Sequence, residues 1–253
     1  MIILLSPAKT LKEDIPALGN ASMPELLNKS KKLASLLKKY KPNELGELMG
    51  ISAKLSQLNY ERYQTWKTPY KLEDALTAIF AFRGEVYTGL NIDSYSEDDL
   101  TYANQHLRIL SGLYGILKPL DAILPYRLEM GTKLNTGSHK NLYEFWGDKL
   151  THLINRDIKS SKYDTIINLA SNEYFKAINS KKLKAQVITP TFKEEKNGNY
   201  KVVSIFAKKA RGLMSTYILK NRIHHIDDIK HFTLEGYNFN ESLSDNLNIV
   251  FTR

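Results

Sequence analysis

The chain has 253 residues, a formal net charge of +9, 42% hydrophobic residues and no cysteine. This size and apolar content suffice for one large domain with a buried core and exclude a wholly disordered chain. The lack of cysteine excludes disulfides, thiolate nucleophiles and cysteine-bound metals. No apolar run approaches the roughly 20 residues that cross a bilayer, and the apolar start is too short for a signal peptide, so we expect a soluble cytoplasmic protein.

The positive charge is segregated along the chain. Between residues 176 and 222, twelve Lys and Arg residues stand against two Glu residues. A second block, residues 29–41, contains six lysines and no acidic residue. Such segregation favours a surface that binds an anionic partner over charge that serves general solubility.

The first predicted element is a short buried strand over residues 2–5, which runs into Ser-Pro-Ala-Lys-Thr at 6–10. A lysine between hydroxyl groups after a strand could hold a phosphate, and a desolvated Lys9 could act as an amine nucleophile. A capped turn with a surface lysine is the alternative.

A helix is predicted next. Ser22 and Glu25 have the spacing of a capping box, and leucines from Leu26 to Leu37 repeat at helical intervals behind them. Most lysines of this helix lie off the leucine stripe, so we interpret them as a solvated face.

Two further helices are predicted on either side of residues 50–52. The turn resembles a helix-hairpin-helix, in which free N–H groups at the start of the second helix bind a DNA phosphate. Gly50 and Ile51 fit that motif, whereas Ser52 stands where a second glycine is usual, and Lys54 adds a donor. An ordinary helical hairpin is the alternative.

The remaining pattern predicts a mixed α/β fold in one domain over residues 1–253. A hairpin is expected around Asn197-Gly198, which favours a type I′ turn. We predict helices over 72–82, 97–110, 141–155 and 213–221, strands over 163–170, 185–189 and 249–251, and the hairpin over 192–206.

Residues 106–131 place charged side chains among leucines. Gly112 and Gly115 interrupt the apolar rhythm, and each costs a helix about 1 kcal/mol. One interpretation is a glycine-kinked buried helix followed by a turn. The other is a segment that shapes a site, with Arg127 and Glu129 as its functional residues.

A buried strand also ends in a polar cluster at residues 168–175. Glu173 could act there as a general base for a bound base or sugar. The alternative is a helix start, with Ser171 or Asn172 as N-cap and Glu173 in the first turn.

Several motifs are missing. Residues 84–89 have the glycine spacing of a P-loop without its Lys-Ser/Thr, and there is no glycine signature for a dinucleotide. Six histidines are present, but no Glu-x-x-His occurs. We therefore expect no metal and no cofactor. A basic stretch at 208–212, expected to form a turn, could contact phosphates.

Six blocks together resemble the YaaA family of bacterial peroxide-stress proteins, and the resemblance extends over nearly the whole chain. Glu85 stands where the family is expected to have Asp, which keeps the charge. The blocks are Ser-Pro-Ala-Lys-Thr (6–10), Phe-Arg-Gly-Glu-Val-Tyr-Thr-Gly-Leu (82–90), Pro-Tyr-Arg-Leu-Glu-Met-Gly (125–131), Leu-Tyr-Glu-Phe-Trp-Gly-Asp (142–148), Asn-Leu-Ala-Ser-Asn-Glu-Tyr-Phe-Lys (168–176) and Phe-Ala-Lys-Lys-Ala-Arg-Gly-Leu-Met (206–214).

The resemblance implies a cytoplasmic protein that protects DNA under hydrogen peroxide and lowers intracellular iron. It also implies a single-domain α/β fold that binds double-stranded or structured DNA through a helix-hairpin-helix beside a positively charged cleft. No membrane association is expected, and the sequence identifies no protein partner. The residues assigned to DNA on this reading are Gly50, Ile51, Ser52, Lys54, Lys208, Lys209 and Arg211.

An enzyme that acts on a nucleobase or nucleoside in DNA, of N-glycosylase or base-hydrolase type, is the alternative. Glu129 or Glu173 would then act as acid or base, and Arg127 would hold a phosphate. The candidate catalytic residues, expected around one pocket, are Lys9, Arg127, Glu129 and Glu173. Iron storage lacks a ligand pattern in this sequence, so an effect on iron would be indirect.

Overall fold

The structure, a computed structural model, describes residues 1–14, 16–161 and 163–253. Its strands belong to a central sheet and two short two-stranded ribbons. The strands are β1 (Ile2–Leu5), β2 (Thr10–Leu11), β3 (Leu76–Thr77), β4 (Phe82–Arg83), β5 (Leu107–Ser111), β6 (Gly115–Leu117), β7 (Ala122–Ile123), β8 (Thr165–Leu169), β9 (Gln186–Lys196), β10 (Asn199–Lys201), β11 (Asn238–Phe239) and β12 (Asn248–Thr252).

Helices separate most of these strands, which gives the mixed α/β domain that the sequence predicts. None of the helices in the described ranges is long and apolar enough to cross a membrane. The helices are α1 (Leu27–Leu37), α2 (Pro42–Met49), α3 (Ala53–Thr65), α4 (Ala78–Ala81), α5 (Glu85–Leu90), α6 (Glu97–His106), α7 (Leu142–Trp146), α8 (Lys149–Ser161), α9 (Asn172–Phe175), α10 (Ser204–Lys220) and α11 (Ile226–Ile229).

The central sheet has the order β11-β12-β9-β8-β1-β5-β6, with β10 paired to β9. Strands β12, β9, β8, β1 and β5 are mutually parallel, and β6, β10 and β11 are antiparallel to their neighbours. In the sheet, β1 lies between β5 and β8. The chain leaves β1, adds β5 at one edge of it, and later adds β8 at the opposite edge. The carboxyl ends of β1 and β8 therefore form a topological switch point, where open α/β sheets bind ligands.

The parallel strands are apolar because both faces of the sheet are covered. All four residues of β1 are fully buried, and so are Ile166 and Ile167 of β8. A continuous apolar run is typical of such strands. The strand predicted over residues 2–5 is confirmed, and those predicted over 163–170, 185–189 and 249–251 correspond to β8, β9 and β12.

Helix α10 packs closely across α5. A Cβ atom added at Gly212 would lie 1.9 Å from the Val86 carbonyl oxygen, so only glycine permits this approach. The helix begins at Ser204, nine residues before the predicted start at Leu213. The prediction of a basic turn at 208–212 was therefore wrong, because these residues lie inside α10.

Residues 106–131 do not form a kinked helix. They contain β5 and β6, an antiparallel hairpin with Ser111 paired to Gly115, whose φ is +74°. Pairing of β5 with β1 supplies hydrogen bonds that a helix would otherwise make. The kinked-helix interpretation was wrong, and so was the helix predicted to reach Leu110, since α6 ends at His106.

Three further predictions differ from the structure or agree with it in part. The helix at 72–82 reduces to a 3-10 turn, β3 and the four-residue α4. The capping box at Ser22 was wrong: α1 begins at Leu27, and the Ser22 hydroxyl donates to the Asp121 carboxylate at 2.7 Å. The hairpin turn is confirmed, with positive φ at Asn197 and Gly198, although the chain is helical from Ser204.

Candidate functional site

The switch point brings together the residues that follow β1 and β8. The Ser171 N–H donates to the Ser6 hydroxyl at 2.8 Å, and the two hydroxyl oxygens lie 3.3 Å apart. The Tyr87 hydroxyl donates to the Ser6 carbonyl at 3.1 Å. These contacts fix the Ser-Pro-Ala-Lys-Thr loop against the start of α9 and place Lys9 at the carboxyl edge of the sheet.

Glu129 forms ion pairs with two cations at this edge. Its Oε2 lies 2.6 Å from Lys9 Nζ, and its Oε1 lies 3.2 Å from Arg127 Nη2. The Lys9 side chain is 62% exposed, whereas those of Glu129 and Arg127 are 21% and 15% exposed. Three of the four candidate catalytic residues therefore form one contiguous charged group that solvent reaches from the lysine side.

The fourth residue, Glu173, is attached to the same segment. Its Oε1 accepts a hydrogen bond from the Gly131 N–H at 2.8 Å. The Tyr143 hydroxyl donates to the Glu173 backbone carbonyl at 3.0 Å. Glu173 is in the first turn of α9, where a carboxylate is electrostatically favoured. Ser171 has the N-cap position but makes no side-chain capping bond.

Buried tyrosines underlie the charged group. The Tyr63 hydroxyl donates to the Arg127 carbonyl at 2.7 Å, and the Tyr126 hydroxyl lies 2.6 Å from Ser111 Oγ. Burial raises the pKa of Tyr63, Tyr126 and Tyr174 above the usual value of 10.0. These phenols stay protonated at neutral pH and can donate to the backbone that carries the site.

Two features show how closely the site segment is packed. A Cβ atom at Gly112 would lie 2.2 Å from the Leu128 carbonyl oxygen, so the chain after β5 supports the backbone between Arg127 and Glu129. The Nε of Arg127 is buried without a hydrogen-bond partner in the described part of the chain. Arg127 thus keeps an unused donor beside its ion pair with Glu129.

This geometry suits proton transfer next to an anion. Two carboxylates and two cations lie close together on two loops and the first turn of α9, which is a usual composition of acid–base sites that handle phosphorylated substrates. The sequence predicted Lys9, Arg127, Glu129 and Glu173 as candidates, and the structure brings them close together. The sequence did not indicate Ser6 as a loop anchor or the tyrosine layer, because a buried tyrosine has no sequence signal that separates a site support from ordinary core.

The helices around residues 50–52 form a second candidate site. Helices α2 and α3 pack together so closely that a Cβ atom at Gly46 would lie 2.6 Å from Ser56 Oγ. Gly50 ends α2 with φ of +62°, and Ser52 precedes the first residue of α3. Ser52 and Lys54 are exposed. The helical hairpin therefore presents the start of α3 to solvent.

The three basic residues of α10 assigned to DNA have different environments. Lys208 is exposed. Lys209 Nζ lies 2.5 Å from Glu235 Oε1. Arg211 is half-buried, and this burial lowers the pKa of its guanidinium. Lys208 is therefore the most accessible of the three to a ligand in solution.

Within the described ranges, no group of three His, Asp or Glu side chains is arranged to hold a metal ion. One acidic residue near the carboxy-terminal histidines is paired with a lysine. Asp227 pairs with Lys230 at 2.6 Å, which lowers the pKa of the Asp227 carboxyl.

Residues 1–243 match a family model described as peroxide stress protein YaaA. A UPF0246 protein of Hahella chejuensis is 50% identical over 254 residues, which cover 100% of this chain and 99% of that protein. UPF0246 proteins of Shewanella baltica and Teredinibacter turnerae show the same identity and coverage. The similarity thus extends over the complete chain and includes both candidate sites.

Proposed function

The chain belongs to the peroxide stress protein YaaA family, and we propose that it serves the peroxide stress response as a cytoplasmic DNA-binding protein. The family name supports the stress role. In this proposal the protein contacts the backbone of double-stranded or structured DNA, protects that DNA and contributes indirectly to lower intracellular iron. The observation that carries the DNA assignment is the helical hairpin at residues 42–65.

The start of α3 is suited to a phosphate. The first N–H groups of a helix have no intrahelical partner and carry the positive end of the helix dipole. Gly50 ends α2 in the left-handed conformation, and Ser52, Ala53 and Lys54 at the start of α3 are exposed. Their combination would supply backbone, hydroxyl and ammonium donors to one phosphate, as a helix-hairpin-helix does.

Further cations would enlarge this contact into a positively charged DNA-binding surface. Lys208 on α10 projects without an ion-pair partner among the described side chains, and the six lysines of residues 29–41 have no acid among them. Phosphate contacts of this kind give affinity without reading the base sequence. We therefore expect binding to duplexes of unrelated sequence.

Ser52→Glu tests the role of the helical hairpin. A carboxylate at this position favours the helix but repels a phosphate, so the variant should remain folded and bind duplex DNA about tenfold more weakly. Fluorescence anisotropy measures the affinity, and Ser242→Glu, an equal charge change in the acidic tail, is the control. Equal affinities for both variants would contradict a contact at the hairpin.

The ion pairs of Glu129 favour a second candidate function, an enzyme that acts on a base or nucleoside in DNA. Lys9 and Arg127 would bind the phosphate beside the reacting nucleotide, and Glu129 or Glu173 would transfer the proton. Mass spectrometry of damaged or modified oligonucleotides after incubation tests this directly. A product that disappears in Glu129→Gln supports the enzyme, and unchanged oligonucleotides throughout argue for binding alone.

Iron is the remaining part of the proposal. We propose that the protein lowers intracellular iron without binding iron itself. The purified protein should therefore contain well below one equivalent of iron. Elemental analysis measures this content. A stoichiometric, tightly held iron would contradict an indirect role.

A further inference from the structure

A cleft of about 200 Å³ lies between α1 and the segment that leads into α8. It is separate from the ion pairs at the carboxyl edge of the sheet, with which it shares no residue. We call it the lysine cleft. Its lining residues are Lys29, Lys32, Leu33, Leu36, Thr136, Ser138, His139, Phe145 and Lys149.

The charge of the lysine cleft sets it apart from three other clefts on the molecule. Each of those is lined by three carboxylates in addition to its basic residues. The lysine cleft is lined by three ammonium groups and no carboxylate. The electrostatic potential inside the cleft is therefore positive. The three ammonium groups repel one another, and a bound anion lying between them would offset this repulsion.

The neighbouring acidic residues are committed elsewhere. Glu25, which precedes α1, is bonded to Arg156 at 2.7 Å. Glu144 accepts the Lys140 N–H at 2.8 Å. Residues 26–43 contain no Asp or Glu. The ammonium groups of the lysine cleft thus have no internal counter-ion within reach along α1.

One of the three cations is held in place. Lys149 Nζ donates to the Phe145 and Trp146 carbonyls at 3.1 Å and 3.4 Å, at the end of α7. An ammonium that is already ordered loses less entropy when it binds a ligand. Lys29 and Lys32 are one turn apart on α1 and face it from the opposite wall.

The floor of the lysine cleft is apolar. Leu33 is fully buried, Leu36 is partly exposed, and the His139 ring lies edge-on to Phe145 with centroids 5.8 Å apart. Thr136 and Ser138 also line the cleft, and the Thr136 hydroxyl lies 3.3 Å from His139 Nδ1. A bare inorganic anion would use the cations and leave this floor uncovered, so the ligand should also have a flat or apolar part.

We propose that the lysine cleft binds a small phosphate monoester with a planar organic group, of which a nucleoside monophosphate is an example. The dianionic phosphate contacts the three ammonium groups, and the ring covers Leu36 and the His139–Phe145 pair. This proposal does not depend on DNA binding by the hairpin, and it assigns Lys29 and Lys32 to the small ligand and not to the DNA surface. A backbone phosphate of DNA offers the same chemistry, and the test below separates the two sources.

Isothermal titration calorimetry with the full chain compares three probes: adenosine monophosphate, adenosine and inorganic phosphate. We expect the monophosphate to bind at least about tenfold more tightly than either of the others, because only it meets both the cations and the floor. If inorganic phosphate bound as tightly as the monophosphate, the proposal that the ligand carries a planar group would be wrong. Absence of binding by all three at millimolar concentration would overturn the site.

Two substitutions on α1 locate the binding. Lys32→Ala removes a lining cation and should weaken the monophosphate about tenfold. Lys31→Ala removes an exposed cation that is outside the lining, and it should leave the affinity unchanged. An equal loss in both variants would mean general electrostatic attraction and contradict a defined site.

Duplex DNA supplies the last comparison. Under the proposal, a monophosphate concentration that saturates the lysine cleft does not displace a labelled duplex, and Lys32→Ala reduces duplex affinity no more than Lys31→Ala does. Displacement of the duplex, together with a selective loss in Lys32→Ala, would assign the lysine cleft to DNA and overturn the small-molecule ligand.

Discussion

The carboxyl edge of the central sheet and the surfaces of α1 and α3 both carry cationic side chains, but the two regions differ in how many of these cations have acidic partners. At the sheet edge, Glu129 lies between Lys9 and Arg127, and neutral phenols hold the backbone beneath. On α1 and at the start of α3, Lys29, Lys32 and Lys54 are without acidic partners among the described side chains. The first region is internally neutralised, and the second is not.

This difference separates two uses of positive charge. Paired and half-buried charges hold each other in one geometry, which suits the orientation of reacting groups. Unpaired surface cations gain most from an external anion, because binding releases counter-ions from that partner. This comparison is the basis on which we propose chemistry at the sheet edge and the binding of a phosphate or polyanion at the helices.

The largest expected effect comes from breaking the support of the paired region. Gly112→Ala would place Cβ 2.2 Å from the Leu128 carbonyl oxygen, and the resulting shift should lower the free energy of unfolding by about 3 kcal/mol. Urea denaturation measures this loss. Gly19→Ala, where nothing lies within 4 Å of the added atom, should stay within about 0.5 kcal/mol. Comparable values would mean that the approach is not structurally required.

The buried phenols should make the protein sensitive to alkali. Because the pKa of Tyr63 is raised above 10.0 by burial, its stabilising contribution is complete below that value and is lost as the pH rises beyond it. Stability should fall by about 1.4 kcal/mol per pH unit for each such tyrosine.

Tyr63→Phe should make this alkaline fall shallower by one such increment, and Tyr200→Phe, at an exposed position, is the control. Urea denaturation between neutral and alkaline pH gives the slopes. If the free energy of unfolding fell with pH at the same rate in Tyr63→Phe and in the parent chain, Tyr63 would not contribute to the alkaline sensitivity.

The ion pairs themselves are expected to contribute less. Glu129→Gln leaves Lys9 and Arg127 without their shared carboxylate and should lower the free energy of unfolding by about 1 kcal/mol. Glu73→Gln breaks the Lys71–Glu73 pair, whose side chains are more than two-thirds exposed, and should change almost nothing. Chemical denaturation measures both changes. If Glu129→Gln left the free energy of unfolding unchanged, the ion pairs at the sheet edge would be no more stabilising than those on the surface.

A smaller effect sharpens the comparison within α10. Lys208 is unpaired, whereas Lys209 is bonded to Glu235. Lys208→Ala should therefore weaken duplex DNA binding about threefold, and Lys209→Ala less than about twofold. Anisotropy titrations at one salt concentration give both values. A larger loss for Lys209→Ala would reverse the assignment of the accessible cation.

The local elements were largely predictable, and the reasons are physical. The apolar run of β1 and the glycine turn at Gly50 are signals confined to a few residues, and both predictions are confirmed. Residues 107–117 were harder, because Gly112 and Gly115 fit neither a helix nor a strand by pattern. What makes this segment a strand pair is hydrogen bonding of β5 to β1, which is about a hundred residues away in sequence.

In the candidate site too, the residue types were predictable from the sequence, whereas their contacts were not. The residue types at Lys9, Arg127 and Glu129 suggested chemistry, but their contact depends on sheet register and on the close approach at Gly112. Lys29 and Lys32 lie off the leucine stripe of α1, and Lys32 is exposed as the solvated-face prediction expects. The same two lysines also line a cleft together with the segment around His139, which the sequence pattern did not indicate. Spacing along one helix does not reveal which distant segment lies against it.

The most direct test of the unpaired cations of α3 and α10 as a DNA surface is the salt dependence of duplex affinity in Lys54→Ala/Lys208→Ala. Because this variant lacks two of the cations that would bind phosphates, its slope of log affinity against log salt should be shallower than that of the parent chain by about 1.8. Anisotropy titrations over a range of salt concentrations give both slopes. A parent slope near zero, or equal slopes in the parent and the variant, would contradict the assignment.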